Sequence, residues 1–298
     1  MNWLVLGGTG YIGQHLIQAL RSPNQTIWVY TRSVDNARKI WKNGEVKLIA
    51  DFTELGETKI DIVLNFSGAP IADKRWTQAR KDVLRKSRVT LTQQLFEHFK
   101  AFGSFPELLI SASAIGFYGN QKDNRVTEDT KPHLEFTHEL CAAWEEAALS
   151  FQEQGVRVVI PRLGVVVGKN SGFMNKLLPL FRLNLGGVMG GGNQWVSWVH
   201  ISDIIHFVAQ AVQRDDFKGI YNLTAPNPVT NRDMTQSLAR VLKRKAILPV
   251  PSFTMKLFLG EMSNLLLEGQ KVIPSRLLDE AKLEFKYTSI DEAFRDAV

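Results

Sequence analysis

The stretch "NWLVLGGTGYIGQHLIQAL", Asn2 to Leu20, decides how the rest of the chain is read. Its first part is a short apolar run that meets glycines, the pattern of a buried strand. Its second part places Ile12, Leu16, Ile17 and Leu20 on one helical face. Between them, Gly8, Gly10 and Gly13 fit G-x-G-x-x-G, while Gly7, Gly10 and Gly13 fit G-x-x-G-x-x-G. In either register the small residues let the backbone turn tightly from strand to helix. A pyrophosphate can then approach the helix N-terminus, where unpaired N–H groups and the helix dipole favour anions. Thr9, Tyr11 and Ile12 complete this candidate phosphate loop. A glycine pattern alone says little. A strand before it and an amphipathic helix after it, opening a βαβ unit, make it a dinucleotide-binding fingerprint.

Working outward, "TIWVYTR", "VKLIAD", "DIVLNFSGA", "ELLISASA", "VRVVIPRLGVVVG" and "GIYNLTA" read as further strands. A helix is expected over about Thr77 to Ala101, and another begins in "FTHELCAAWE". "IIHFVAQAV" reads as a helix with Ser202 or Asp203 as N-cap, and "PNPVTNRDM" as a turn into a helix capped by Thr230 or Asn231. Fully apolar strands alternating with amphipathic helices predict an α/β fold of Rossmann type, a doubly wound, mostly parallel sheet. The texture changes after Gly168, where glycine and tryptophan become frequent. Residues 1–168, completed by about 203–225, are expected to form the nucleotide-binding core. Residues 169–202 and 226–298 then make a smaller α/β lobe on the substrate side. No Pro/Gly/Ser linker separates them, so the lobe should pack closely on the core.

The second strand ends in "VYTRS". A fold that prefers NAD places an acidic residue about 20 positions beyond the glycines, to bind the ribose hydroxyls. Here Thr31, Arg32 and Ser33 occupy the tip, and an arginine suits a 2′-phosphate. The expected cofactor is therefore NADP(H) rather than NAD(H). Asp51 and Phe52 follow the third strand, where they can flank an adenine, although an exposed aspartate there serves equally as a helix cap. Ser67, Gly68 and Ala69 end the fourth strand and are small enough for backbone to pass close to a cofactor. Lys74, Arg75 and Trp76 come next, with Arg75 in reach of cofactor phosphates or an anionic substrate.

The bulk properties exclude several classes. At 298 residues, 44% hydrophobic and 22% charged, the chain can bury a sizeable core. Its single cysteine forms no intramolecular disulfide. The N-terminus lacks a signal-peptide pattern, and no apolar run approaches the roughly 20 residues of a membrane span, so a cytoplasmic protein is expected. The six histidines are not clustered at metal-ligand spacing, and no metal is expected. The net charge of +6 is concentrated in "DKRWTQARKDVLRKSR", where Lys74, Lys81, Arg85 and Arg88 fall on one helical side. That reads as a solvated basic face. Aromatics do not interleave with it as a nucleic-acid platform needs. Arg162 lies in an apolar strand and must be paired if buried. Trp195, Trp198 and His200 flank a glycine-rich turn and read as packing at the sheet edge or as a substrate wall.

These residues together resemble the extended short-chain dehydrogenase/reductase superfamily, which includes the nucleotide-sugar epimerases. "GGTGYIG", "NFSGAP", "SASAIGFYG", "PRLGVVVG" and "WVHISD" occur in the expected order. Within it, "IADKRW", "FTHELCAAWE", "LPLFRLNLGG" and "LLEGQKVIPSRL" look like the hallmarks of the "epimerase family protein" subfamily, which carries a C-terminal domain of unknown function. The resemblance covers essentially the whole chain. It implies a seven-stranded, mostly parallel sheet binding NADP(H), a small anionic or sugar-like substrate held by the C-terminal lobe, and a homodimer paired through the basic helix and the "FTHELCAAWE" helix.

The superfamily's chemistry uses a Ser or Thr after the fifth strand and a Tyr-x-x-x-Lys on the next helix. The resemblance puts Ser113, or Ser111 in a slipped register, at the first position. It puts Thr137 and Cys141 where the tyrosine and lysine belong. A threonine hydroxyl is far too weak an acid to replace a phenol, and a neutral thiol cannot supply the lysine's charge. The proton must then come from elsewhere, with Tyr118, His138 or a bound water as candidates. His138 and Cys141 also lie nearly one turn apart, a spacing at which the two side chains can meet. A lone helical cysteine is more often a small buried residue than a nucleophile.

Overall fold

The computed structural model describes residues 1–42 and 44–298. Strands β1 (Asn2–Leu6), β2 (Thr26–Tyr30), β3 (Lys47–Ile49), β4 (Ile62–Asn65), β5 (Leu108–Ser111), β6 (Arg157–Leu163) and β7 (Gly219–Leu223) form the central sheet. Its order is β7-β6-β5-β4-β1-β2-β3, with Ser113–Ala114 adding a short pairing beside β6. Every pairing is parallel. The order reverses between β1 and β4, which creates the crevice where doubly wound sheets bind ligands.

Alternate residues of each strand enter different layers. Trp3, Val5, Val29, Leu64, Ile110 and Val159 pack against Leu16 and Ile17 of α1 (Tyr11–Leu20). On the same side they meet Ile204, Phe207 and Val208, which belong to a later helix, α7 (Ile201–Gln213). Leu4, Leu6, Val63, Leu109, Val158 and Ile160 pack on the other side against Leu95, Phe99 and Phe151. A strand buried on both faces needs apolar residues at every position, which is why β4 and β5 read as continuous runs.

The other main helices are α2 (Val34–Ile40), α3 (Gln78–Arg85), α4 (Leu91–Phe102), α5 (Phe136–Leu149), α6 (Gly172–Arg182) and α8 (Asn231–Leu242). The helix expected over Thr77 to Ala101 is α3 and α4 joined by a π-helical turn at Lys86–Thr90. Thr77 caps it by accepting the Arg80 N–H. Thr230 caps α8 by accepting from Asp233.

Two local expectations are corrected. The predicted sixth strand is broken at Gly164, where a Cβ would lie 2.7 Å from the Ser197 carbonyl. Val165–Val167 leaves the sheet and pairs in parallel with Trp198–His200. The N-cap of α7 is His200, whose Nδ1 accepts the Ser202 N–H. Asp203 instead accepts the N–H groups of Lys286 and Tyr287, pinning the C-terminal segment onto the core.

The apolar faces of α6, α8 and the last helix, Ile290–Ala297, meet around Trp198 in a cluster of their own. Leu277, Ala281 and Leu283 of the same C-terminal stretch pack into the α1–α7 layer instead. The C-terminal lobe therefore shares its interior with the sheet.

The glycines predict contrasting effects. At Gly13 a Cβ would sit 2.3 Å from the Gly7 carbonyl, whereas at Gly172, in the first turn of α6, it would meet nothing within 4 Å. Gly13→Ala should lower stability by about 1–3 kcal/mol through overpacking. Gly172→Ala should raise it by up to about 1 kcal/mol, because alanine gives up less chain entropy in a helix. Urea unfolding midpoints of the two variants check both signs.

Candidate active site

The glycine loop is built by close approach. Gly7 adopts φ +82, and a Cβ there would lie 2.5 Å from the Phe66 carbonyl at the end of β4. Gly8 lies against Val29 and Ile17. Gly10 precedes α1 without any side-chain cap, so the first N–H groups of the helix face outward unclaimed by a side chain. Both glycine registers of the motif are thus used. Gly7 makes the turn, Gly8 allows strand packing, and Gly13 lets the helix close on the loop. Thr9 accepts from the Gln14 amide through its carbonyl, which stiffens the loop. Tyr11 begins α1 with its ring against His15 and its hydroxyl buried beside Gly168, where burial pushes its pKa up to about 12. Ile12 packs partly buried on the adjoining core.

The other strand tips stand along the same edge. Thr31 is buried, and its hydroxyl bonds the backbone of Ser33 in a local turn. Arg32 stands exposed next to it. Asp51 caps the short 3₁₀ turn Phe52–Leu55 in a reciprocal box with Glu54, and its bonds to Thr53 hold its carboxyl below the usual range. Phe52 is buried and stacked on Tyr30, with ring centroids 4.6 Å apart. Ser67 gives its hydroxyl proton to Asn65 at 2.6 Å, and Asn65 in turn donates to Thr92 and Ser111. This closed set of bonds fixes the end of β4.

Arg88 is the residue that reading the sequence missed. It lies in the π-helical turn rather than on a regular helix face, and wide turns of that kind often mark functional sites. A Cβ on Gly68 would fall 2.7 Å from its guanidinium carbon. Arg88 donates to the Ala69 and Leu84 carbonyls and lies over the Trp144 ring. Burial lowers its pKa, and the nearby Cys141 acts in the opposite direction. Its partners are these carbonyls and the Ser87 hydroxyl, and among the described residues no carboxylate bonds its charge. The expected solvated basic face is corrected accordingly: Arg88 turns inward and Lys81 pairs with Glu261 at 2.7 Å. Lys74 lies ahead of the helix. Arg75 is corrected too. Its guanidinium lies against Gly260 of the C-terminal lobe rather than at the glycine loop.

Beyond the ends of β5 and β6 the core and the lobe enclose a cavity of ≈ 520 Å³. Thr137 and Cys141 of α5 line it, as do Ala114 and Gly116 after β5 and Leu163 and Gly164 at the end of β6. The far wall is apolar: Phe173, Leu177 and Phe181 of α6, and Met234 and Leu238 of α8. Trp76 joins this wall with its ring against Phe136 and its indole N–H on the Ile71 carbonyl. Trp195 also lines the cavity, whereas Trp198 is buried in the lobe's core. His200 is buried as the cap of α7.

Of the four catalytic candidates, only Thr137 and Cys141 reach this cavity. Ser113 donates to Glu145 at 2.6 Å, and Glu145 forms a buried two-pronged pair with Arg162. Arg162 also donates to the Tyr118 hydroxyl at 2.8 Å, which itself donates to Asn222 at 2.6 Å. The proposal of Tyr118 as proton donor is corrected by this geometry. The residue is fully buried, its hydroxyl is claimed on both sides, and burial pushes its pKa up to about 12. His138 is likewise turned away, with Nδ1 2.7 Å from the Phe117 carbonyl. No Cys–His nucleophile is assembled. Burial, then the Glu145 carboxylate, raises the Cys141 thiol to about 11. Among the described residues no cluster of potential metal ligands occurs, and no helix is long and apolar enough to cross a membrane.

Comparison with known proteins gives two family matches along the chain. The profile of the NAD dependent epimerase/dehydratase family matches residues 3–224, and that of a domain of unknown function, DUF1731, matches residues 250–297. An Arabidopsis thaliana protein called "Epimerase family protein SDR39U1 homolog, chloroplastic" is 37% identical over 300 residues, covering 98% of this chain and 85% of its own. The crystal structure of human epimerase family protein SDR39U1 (isoform2) with NADPH superposes with a TM-score of 0.86 at 28% identity. It covers 99% of this chain and 98% of its own. UDP-glucuronic acid 4-epimerase from Bacillus cereus, solved with UDP-glucuronic acid and NAD, has a TM-score of 0.79 at 19% identity. It covers 99% of this chain and 97% of its own, a likeness of fold alone.

Two measurements probe this site. Glu145→Gln should cost about 3–5 kcal/mol by leaving Arg162 buried without its partner, while replacing both by methionine should cost clearly less. Denaturant unfolding of the single and double variants reads the difference. Because the thiolate is the reactive form, Cys141 in the folded protein should resist iodoacetamide near pH 8 and become labelled once unfolded. Intact-mass spectrometry counts the added groups.

Proposed function

The chain belongs to the NAD dependent epimerase/dehydratase family, and from that premise we propose that it is an NADP(H)-dependent oxidoreductase or epimerase-like enzyme acting on a small molecule in the cavity. One observation carries this reading. The glycine cradle and the enclosed cavity open on the same edge of the sheet, the C-terminal ends of its parallel strands. A protein that only bound a dinucleotide would need the cradle and not the cavity.

The residues suit the cofactor. Gly7 and Gly13 leave no room for a side chain where a diphosphate would pass, and the N-terminus of α1 has free N–H donors. Thr31 and Arg32 stand at the tip of β2, where a 2′-phosphate would be bound. When bound, NADPH supplies a hydride to a carbonyl carbon, the carbonyl oxygen takes a proton, and NADP⁺ and an alcohol result; the reverse oxidises the alcohol. Thr137 and Cys141 offer the oxygen hydrogen bonds from a hydroxyl and a protonated thiol, and a bound water is left as the source of the proton. Arg88, behind Gly68 and close to Cys141, provides the fixed positive charge that a lysine at position 141 would have brought. Asp51 and Phe52 would border the adenine end as a cap and a buried support rather than as direct clamps. The missing Tyr-x-x-x-Lys pair favours a second reading, a protein that senses NADP(H) without turnover.

Calorimetric titration with NADPH and NADH tests the cofactor preference that both readings share. NADPH should bind more tightly. Arg32→Ala should weaken NADPH by about tenfold, the worth of one charge-assisted bond, and leave NADH nearly unchanged. Arg88→Met should weaken both. Equal affinity for the two nucleotides would overturn the assignment. Tight NADPH binding without oxidation by any carbonyl compound in a broad panel would favour the sensor.

A further inference from the structure

We propose that the cavity selects an uncharged, lipophilic carbonyl or alcohol and excludes nucleotide sugars and other anions. The inference rests on the reading of the cavity as the substrate site and goes on to name the substrate class. Among the described residues lining the cavity there is no lysine, arginine or histidine. The ionisable groups on its wall are Glu135, Glu261, Glu268 and the Cys141 thiol. Glu261 is held by Lys81. Burial and then the neighbouring Glu135 raise the pKa of Glu268, with Lys256 acting the other way, so two carboxyl groups stand near each other on this side of the wall.

A nucleoside diphosphate is bound by arginines, lysines or free helix N-termini. Three of the longer helices have first-turn residues on the wall, α5 with Phe136, α6 with Phe173 and α8 with Asn231. Glu135 precedes α5, Asp233 lies in the opening turn of α8, and the Ser171 hydroxyl caps α6 by accepting the Met174 N–H. Two of the three positive ends thus already have an acid, and the third has a capping hydroxyl. An anion entering here would lose its water without gaining a partner and would face like charge.

The apolar lining asks for an apolar guest. It also continues outward. Leu180 and Leu185 line the cavity while remaining 47% and 49% exposed, so they form its mouth. Val250, another lining residue, leads into the helix Ser252–Leu259, where Phe253, Leu257 and Phe258 are exposed. Exposed apolar residues gathered beside a cavity mark a path for a lipophilic molecule. The volume of ≈ 520 Å³ is that of an ordinary small-molecule site. Asn120 and Gln270 on the wall supply hydrogen bonds for one neutral polar group, while the Gln194 amide nitrogen already donates to the Met189 and Leu266 carbonyls.

The test uses the full chain with Nile red, a neutral apolar fluorophore, in the cavity, displaced with and without NADPH. Decanal and decanol should displace it. Decanoate, of the same length but charged, should be at least about tenfold weaker, and UDP-glucuronate should not compete. Glu268→Gln should raise decanoate affinity relative to decanol. Displacement by UDP-glucuronate, or decanoate binding better than decanol, would overturn the proposal. NADPH binding is followed separately by its own fluorescence, so its loss would count against the enzyme reading and not against the substrate class.

Discussion

The bidentate pair between Glu145 and Arg162 is the constraint on which the site depends. It ties α5 to β6 in the interior, with both residues almost wholly buried. Two charges removed from water repay that cost only with good geometry and further hydrogen bonds. Here each nitrogen and oxygen of the two charged groups has a partner. Glu145 also accepts from Ser113, and Arg162 also donates to Tyr118 and lies 3.5 Å over the Phe117 ring. Tyr118 passes the chain on to Asn222 in β7. The consequence is positional. Ser113 and Tyr118 are locked into the scaffold, and the helix face that bears Thr137 and Cys141 is held at the cavity by bonds behind it. A hydrophobic replacement can match such a pair in stability but does not fix this register.

The fold was legible because its main signal is local. A strand buried on both sides must be apolar throughout, and a glycine loop between such a strand and an amphipathic helix has few other uses. What was not legible depends on contacts distant in the chain. Nothing near Gly164 announces that the carbonyl of Ser197 lies against it and breaks the strand. Asp203 resembles an N-cap until Lys286 and Tyr287 claim its carboxylate, leaving His200 to cap the helix. Arg75 follows a cofactor-side strand and yet turns to Gly260.

Arg88 shows a different failure. Spacing along a regular helix puts it in line with Lys81 and Arg85, on a face that water should cover. The π-helical turn adds a residue to the repeat and rotates everything after it. A charge that periodicity assigns to solvent therefore ends beneath Gly68. The cavity was hidden for a related reason. Phe181, Met234 and Leu238 read as ordinary core residues, and they are, on the side where α6 and α8 meet. The same side chains also bound an enclosed space, and only the placement of two helices against the strand ends separates the two roles.

This separation bears on the absent lysine. A lysine at position 141 would bring its ammonium to a wall otherwise made of apolar groups and carboxylates, where desolvation disfavours the charged form. With a thiol there, position 141 stays neutral: the pKa of about 11 keeps Cys141 protonated at neutral pH. The positive charge is displaced to Arg88, on the far side of the loop that follows β4, where Ala69 and Leu84 carbonyls and the Trp144 face stabilise it. An arginine keeps its charge under burial far better than a lysine does. On the proposed reading the loss of the dyad and the apolar lining are thus two aspects of one change. A site for a lipophilic substrate cannot expose a cation to it, so the charge stands behind the wall and the Cys141 thiol in front of it keeps its proton.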